Sequence, residues 1–207
     1  MVERASGHRA ALQIGGASLA AALILFVWGF FLWAAGPLGS PVKPVPTWLH
    51  PSVAAMDVPE LASGTYAYPF EPGEDAESQA RMAERLRTGP VLMLHIRAAG
   101  PDPLGGQTLL AGFVHFLVSA AIVSTLAWWL LPALPSWGGR VLFVAALGLF
   151  SAVFARLGQP LWFSLPFGFH LFYALSDLVG WALAGVAVGA LVRPAGAEAA
   201  EARVAAA

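Results

Sequence analysis

Four long apolar runs alternate with segments that hold nearly all of the charge. The first covers residues 11–35, ALQIGGASLAAALILFVWGFFLWAA, and contains no charged residue. The second covers roughly Gln107–Leu131, the third roughly Val141–Leu157 and the fourth roughly Phe167–Val192. A bilayer core about 30 Å thick takes about 20 apolar residues in a helix, so each run predicts a transmembrane helix. The first run exceeds the apolar region of a signal peptide, usually about 7–15 residues. Trp33 also stands where a cleavage site before Ala35 needs a small residue. A retained helix is therefore expected.

Residues 36–105 follow a different pattern. They open with PLGSPVKPVP, whose prolines exclude a helix and predict an extended linker. After a loop, GTYAYPF (Gly64–Phe70) has the Thr and Tyr content of a strand. EPGED reads as a turn. DAESQARMAERLRT (residues 75–88) reads as a short helix, with Glu77 and Arg81 one turn apart. Gly89 and Pro90 stop that helix, and VLMLHIR (Val91–Arg97) is a second strand. The order strand, helix, strand predicts a small βαβ-like insert. Two strands and a helix bury too little surface to stand alone, so the insert is expected to lean on the helices, the membrane or a partner.

Composition sharpens this picture. Of the 207 residues 58% are hydrophobic and 11% charged, against about 25% charged in soluble domains. Eight Trp, mostly near the ends of the runs, fit an interfacial belt. The absence of cysteine removes disulfides, thiolate metal sites and cysteine nucleophiles. A net charge of −1 with no basic patch argues against a nucleic-acid partner.

Charge also orients the spans. Arg4 and Arg9 precede the first, Arg140 lies in the PSWGGR loop between the second and third, and Arg193 follows the fourth. With four spans these share one side, which the positive-inside rule makes cytoplasmic. Residues 36–105 hold five Lys/Arg against eight Asp/Glu. The expected fold class is an all-α membrane bundle of four transmembrane helices, N-in and C-in, with a small α+β extracytoplasmic insert between the first two. Residues 1–10 form a cytoplasmic N-terminus and residues 193–207 a cytoplasmic, Ala/Glu-rich tail. The Ala/Gly-rich composition points to the inner membrane of a bacterium.

Candidate chemistry lies inside the runs. An ionisable side chain in lipid needs a partner or a purpose, and four occur: His115 in the second run, Arg156 in the third, His170 and Asp177 in the fourth. All fall in the outer half by their depth. His170, Tyr173 and Asp177 are spaced i, i+3, i+7 on one helix face, as are His115 and Ser119 at i, i+4. One reading has these groups pair with each other, Arg156 reaching Asp177. A second has His115 and His170 as axial ligands of a haem b. A third has a quinone or proton-relay site on the histidines and Asp177. Outside the runs, His50 and His95 carry no metal-binding spacing.

No metalloprotease, nucleophile-elbow, phosphate-loop or dinucleotide motif occurs, and no enzymatic activity is expected. Small residues line the first run (Gly15, Gly16, Ala17, Ala20, Ala21), the third (Ala145, Gly148, Ala152, Ala155) and the fourth (Gly180, Ala184, Gly185, Gly189). They allow close helix packing and leave surface for a homo-oligomer or a membrane-protein partner through the first and fourth helices. The expected function is an accessory or structural subunit of a larger membrane complex. The alternatives are the redox or proton-handling protein above and an oligomeric small transporter.

Overall fold

The computed structural model of the chain describes residues 2–33, 42–55, 62–70, 73, 75–97, 100–102 and 104–194. Four helices are long and apolar enough to cross a membrane: Gly7–Leu32, Gly106–Trp129, Trp137–Phe163 and Phe167–Leu191. The first belongs to α1 (Val2–Trp33). A 3₁₀ turn (Thr47–Leu49) and α2 (His50–Ala54) follow, then β1 (Gly64–Tyr68), α3 (Ala76–Thr88), β2 (Leu92–Ile96) and α4 (Gly106–Trp129). The third span is composite: α5 (Trp137–Ser151), a π-helical stretch (Ala152–Leu157) and α6 (Gly158–Phe163). The last span is α7 (Phe167–Leu191). Half of the proline-rich linker, part of the EPGED turn and the tail beyond Pro194 lie outside the described residues.

The long helices pack in the order α4, α1, α7, α5, and α4 touches α5 and α7 only slightly. Neighbours run antiparallel. Arg9 Nη2 donates to the Pro194 carbonyl (3.5 Å) and Gln13 Oε1 accepts from the Arg193 amide (3.3 Å), so both chain ends meet at one end of the bundle. The apolar core fills the half nearest that end, where Ala17, Ala21 and Leu25 meet Ala120, Val123 and Ala127, with Val144, Ala184 and Val188 beside them. Alanines dominate because small side chains bring helices close enough for dispersion contacts, the main attraction available in lipid.

Glycines serve the same packing. A Cβ at Gly185 would sit 3.1 Å from the Val141 carbonyl, and one at Gly189 3.2 Å from that of Trp137. This GxxxG pair is thus occupied by α5 within the molecule. Gly15 and Gly16 of α1 have open space instead, with nothing within 4 Å of a Cβ.

Two expectations about the spans change. Arg140 does not sit in a loop. Ser136 caps α5, its Oγ accepting from the Gly139 amide at 3.1 Å, so Arg140 falls in the first turn and is only 4% exposed. It donates to the carbonyls of Gly189 (3.1 Å), Leu134 (3.0 Å) and Pro135 (2.7 Å). These acceptors lie in the last turn of α7 and the α4–α5 connection, where carbonyls lack helical partners. The third helix also passes Leu157, where the apolar run predicts its end, and reaches Phe163. Pro160 explains the irregularity in between. It lacks an N–H, and its ring would collide with the carbonyl four residues earlier, that of Arg156. The wider π turn ending at Leu157 opens that region before α6 restarts.

The insert differs from a βαβ unit in one respect: its strands pair antiparallel, Gly64 opposite Ile96 and Tyr68 opposite Leu92. The connection therefore leaves and re-enters the sheet at one edge. Antiparallel pairing makes the unit a long hairpin rather than a crossover. Asp75 caps α3, accepting from the Ser78 amide at 2.9 Å. Gly89 ends it at φ 68°, a conformation that favours glycine. The face of β2 carrying Met93 and His95 looks onto the end of the bundle, beside Gln159, Leu165 and His170.

Candidate functional site

The half of the bundle away from the chain termini holds a cavity of about 310 Å³ instead of a core. Its floor is built by two tryptophans seated on glycines. Trp28 of α1 lies over Gly180, where a Cβ would approach the indole to 2.9 Å, and Trp181 lies against Gly148, where a Cβ would come within 2.5 Å. The indole N–H of Trp28 donates to the Ser176 carbonyl at 3.0 Å, pinning α1 to α7 at this level.

Polar side chains line the walls. Arg156 Nε donates to Asp177 Oδ2 at 2.8 Å, joining the π-helical stretch to α7. The guanidinium also lies 5.8 Å from the ring centroid of Tyr173, within cation–π range. Tyr173 is buried between Phe169 and Phe172, at centroid distances of 4.8 and 5.2 Å. His115 enters from α4, its ring 5.5 Å from that of Phe116. Ser119 bonds the His115 carbonyl at 3.0 Å and so serves its own helix.

Of the sequence-predicted residues, His115, Arg156, Tyr173 and Asp177 share this cavity; His170 does not. His170 lines a second cavity nearer the insert, and Phe169 lines both. Depth separates the histidines. His115 lies nine residues into α4, about 13 Å, and His170 three residues into α7, about 5 Å. The two histidines line different cavities. Among the described residues no group of three His, Asp or Glu is placed to hold a metal ion.

The cavity's electrostatics follow from the ion pair. Arg156 and Asp177 neutralise each other, so the space carries little net charge. Arg156 spends Nε on Asp177, and among the described residues its two terminal nitrogens make no hydrogen bond. The side chains remain 46% and 27% exposed, on the side where α4 stands away from the third span. The arrangement offers hydrogen-bond donors in an aromatic-walled, near-neutral space open to one side.

Sequence reasoning missed Trp28, Phe169 and the Ser176 carbonyl, which no intramembrane charge marks. The signal it passed over was Pro160, four residues after Arg156, since π turns cluster at functional sites. No protein-family model matches the chain, and neither a curated protein nor a solved structure matches it significantly.

Proposed function

We propose that this is a four-span protein of the cytoplasmic membrane, with both ends inside and the insert outside, that binds the head group of a lipid-soluble carbonyl ligand of the quinone class. The observation that carries the reading is the convergence of His115, Arg156, Tyr173 and Asp177 on one cavity. Ionisable side chains at membrane depth mark functional sites by default. The near-neutral Arg–Asp pair favours a neutral acceptor over an anion. A quinone head is flat, suits aromatic walls and presents two carbonyl oxygens. The Arg156 guanidinium and the His115 imidazole supply donors, while Asp177 keeps Arg156 oriented. The volume of about 310 Å³ lies at the small end of ligand pockets. The open side gives an isoprenoid tail a path into lipid.

Trp28 and Trp181 report directly on occupancy, because both line the cavity and quinones quench indole fluorescence. Titration of the detergent-solubilised protein with a short-tailed quinone is expected to give saturable quenching that His115→Phe weakens about tenfold, the equivalent of one hydrogen bond. Linear, unsaturable quenching, equal in both proteins, would sink the reading.

A second reading, the accessory subunit, draws on the same open side. A half-exposed ion pair at membrane depth is costly against lipid, and a partner's helix between α4 and the third span would cover it.

A further inference from the structure

The second cavity, about 560 Å³, lies between the inner face of the sheet and the start of α7. Its polar lining is one-sided. Lys43, His95, Gln159 and His170 contribute, and among the described residues no acidic side chain does. His170 is only 9% exposed, and among the described residues its ring makes no hydrogen bond. Its ring nitrogens are not fully enclosed and so can serve an occupant of the cavity. His95 engages Thr65 Oγ1 through Nδ1 at 3.0 Å, leaving Nε2 for another partner. The cavity also faces the first turn of α7, whose N-cap, Pro166, makes no side-chain bond to the free amides there. Such amides add to an anion site without making one alone. Met93, Leu165 and Phe169 complete an apolar flank.

We propose that this cavity holds the phosphate-type head of an anionic membrane amphiphile. Lys43 supplies the charge, His95, Gln159 and His170 the hydrogen bonds, and the apolar flank meets the start of the chain. Net charge separates the two cavities: the Arg156–Asp177 pair is balanced, whereas among the described residues Lys43 has no counter-ion. The inference rests on the membrane reading only for its depth near the interface.

The test uses the full chain in nonionic detergent, with melting temperature followed during titration. Phosphatidylglycerol should raise it saturably, and phosphatidylcholine with the same acyl chains should not. Lys43→Ala and His95→Gln, both outside the spans, should each weaken phosphatidylglycerol about tenfold, the loss expected for a charge-assisted hydrogen bond, with the lipid-free melting temperature unchanged. Inorganic phosphate that displaces the lipid would assign recognition to the phosphate alone, and phosphate without effect would assign it to the intact lipid; either outcome keeps the anion site. Equal responses to the two lipids, or wild-type binding by both variants, would overturn the proposal. His115→Phe should keep full phosphatidylglycerol binding, so failure at one cavity is distinguishable from failure at the other.

Discussion

At the scale of single residues, glycine and arginine define the bundle. Gly148 accommodates Trp181 so closely that a Cβ would lie 2.5 Å from the tryptophan Cβ. That atom is tied to the backbone and cannot swing aside, so Gly148→Ala should cost about 1–3 kcal/mol through overpacking. Gly112 has nothing within 4 Å, and Gly112→Ala should be neutral or gain up to about 1 kcal/mol of helix propensity. Unfolding of both variants in mixed micelles compares them, and equal stabilities would refute the packing assignment. Arg140 shows the limit of reading residues by type. A cation between two apolar runs reads as a loop charge, but tertiary structure buries it against three carbonyls. The Arg156–Asp177 pair was legible, because opposite charges at similar depth in lipid have few alternatives to each other.

At the scale of elements, hydropathy anticipated the four helices that are long and apolar enough to cross a membrane, and Pro160 reshaped the third. The apolar count ends at Leu157, yet backbone hydrogen bonding carries the helix to Phe163. The π-helical turn was not legible as such, since it depends on how the chain relieves a proline clash. The insert's strands and helix follow their local residue types, which do not fix the direction of pairing. Within α3 the Asp75 cap gives a pH dependence. The Ser78 amide and hydroxyl, both donating to the Asp75 carboxylate, hold its pKa below the ordinary value. A depressed pKa means the cap contributes fully above about pH 4 and is lost as pH falls through the lower, folded value. Hydrogen exchange of residues 76–80, corrected for intrinsic rates, should show protection falling as the pH is lowered below about pH 4 in the wild type. Asp75→Asn, which caps without titrating, should show no such change; a wild-type profile flat over this range would count against the cap.

At the scale of the whole molecule, the packed half and the open half divide the work. Alanine and glycine contacts close the half near the termini, while the other half keeps two cavities of different charge character with Phe169 between them. The first cavity's polar seam was legible in part, from depth and helical spacing; the second cavity was not. His95 and His170 are far apart in sequence and line one cavity, whereas His115 lines the other. The proposed topology can be read in a chain without native cysteine. In intact cells Ser63→Cys in the insert should react with an impermeant maleimide, and Ala133→Cys in the α4–α5 connection should react only after permeabilisation. The reverse pattern would invert the membrane orientation.

The central claim is that the Arg156–Asp177 pair serves a ligand rather than the fold alone. Removing one partner strands the other charge and confuses the two roles, so the decisive protein is the double variant Arg156→Gln/Asp177→Asn. Quinone titration followed by Trp fluorescence should find it folded, with a melting temperature near that of the wild type, and without saturable quenching. Wild-type quinone affinity in that folded double variant would contradict the account.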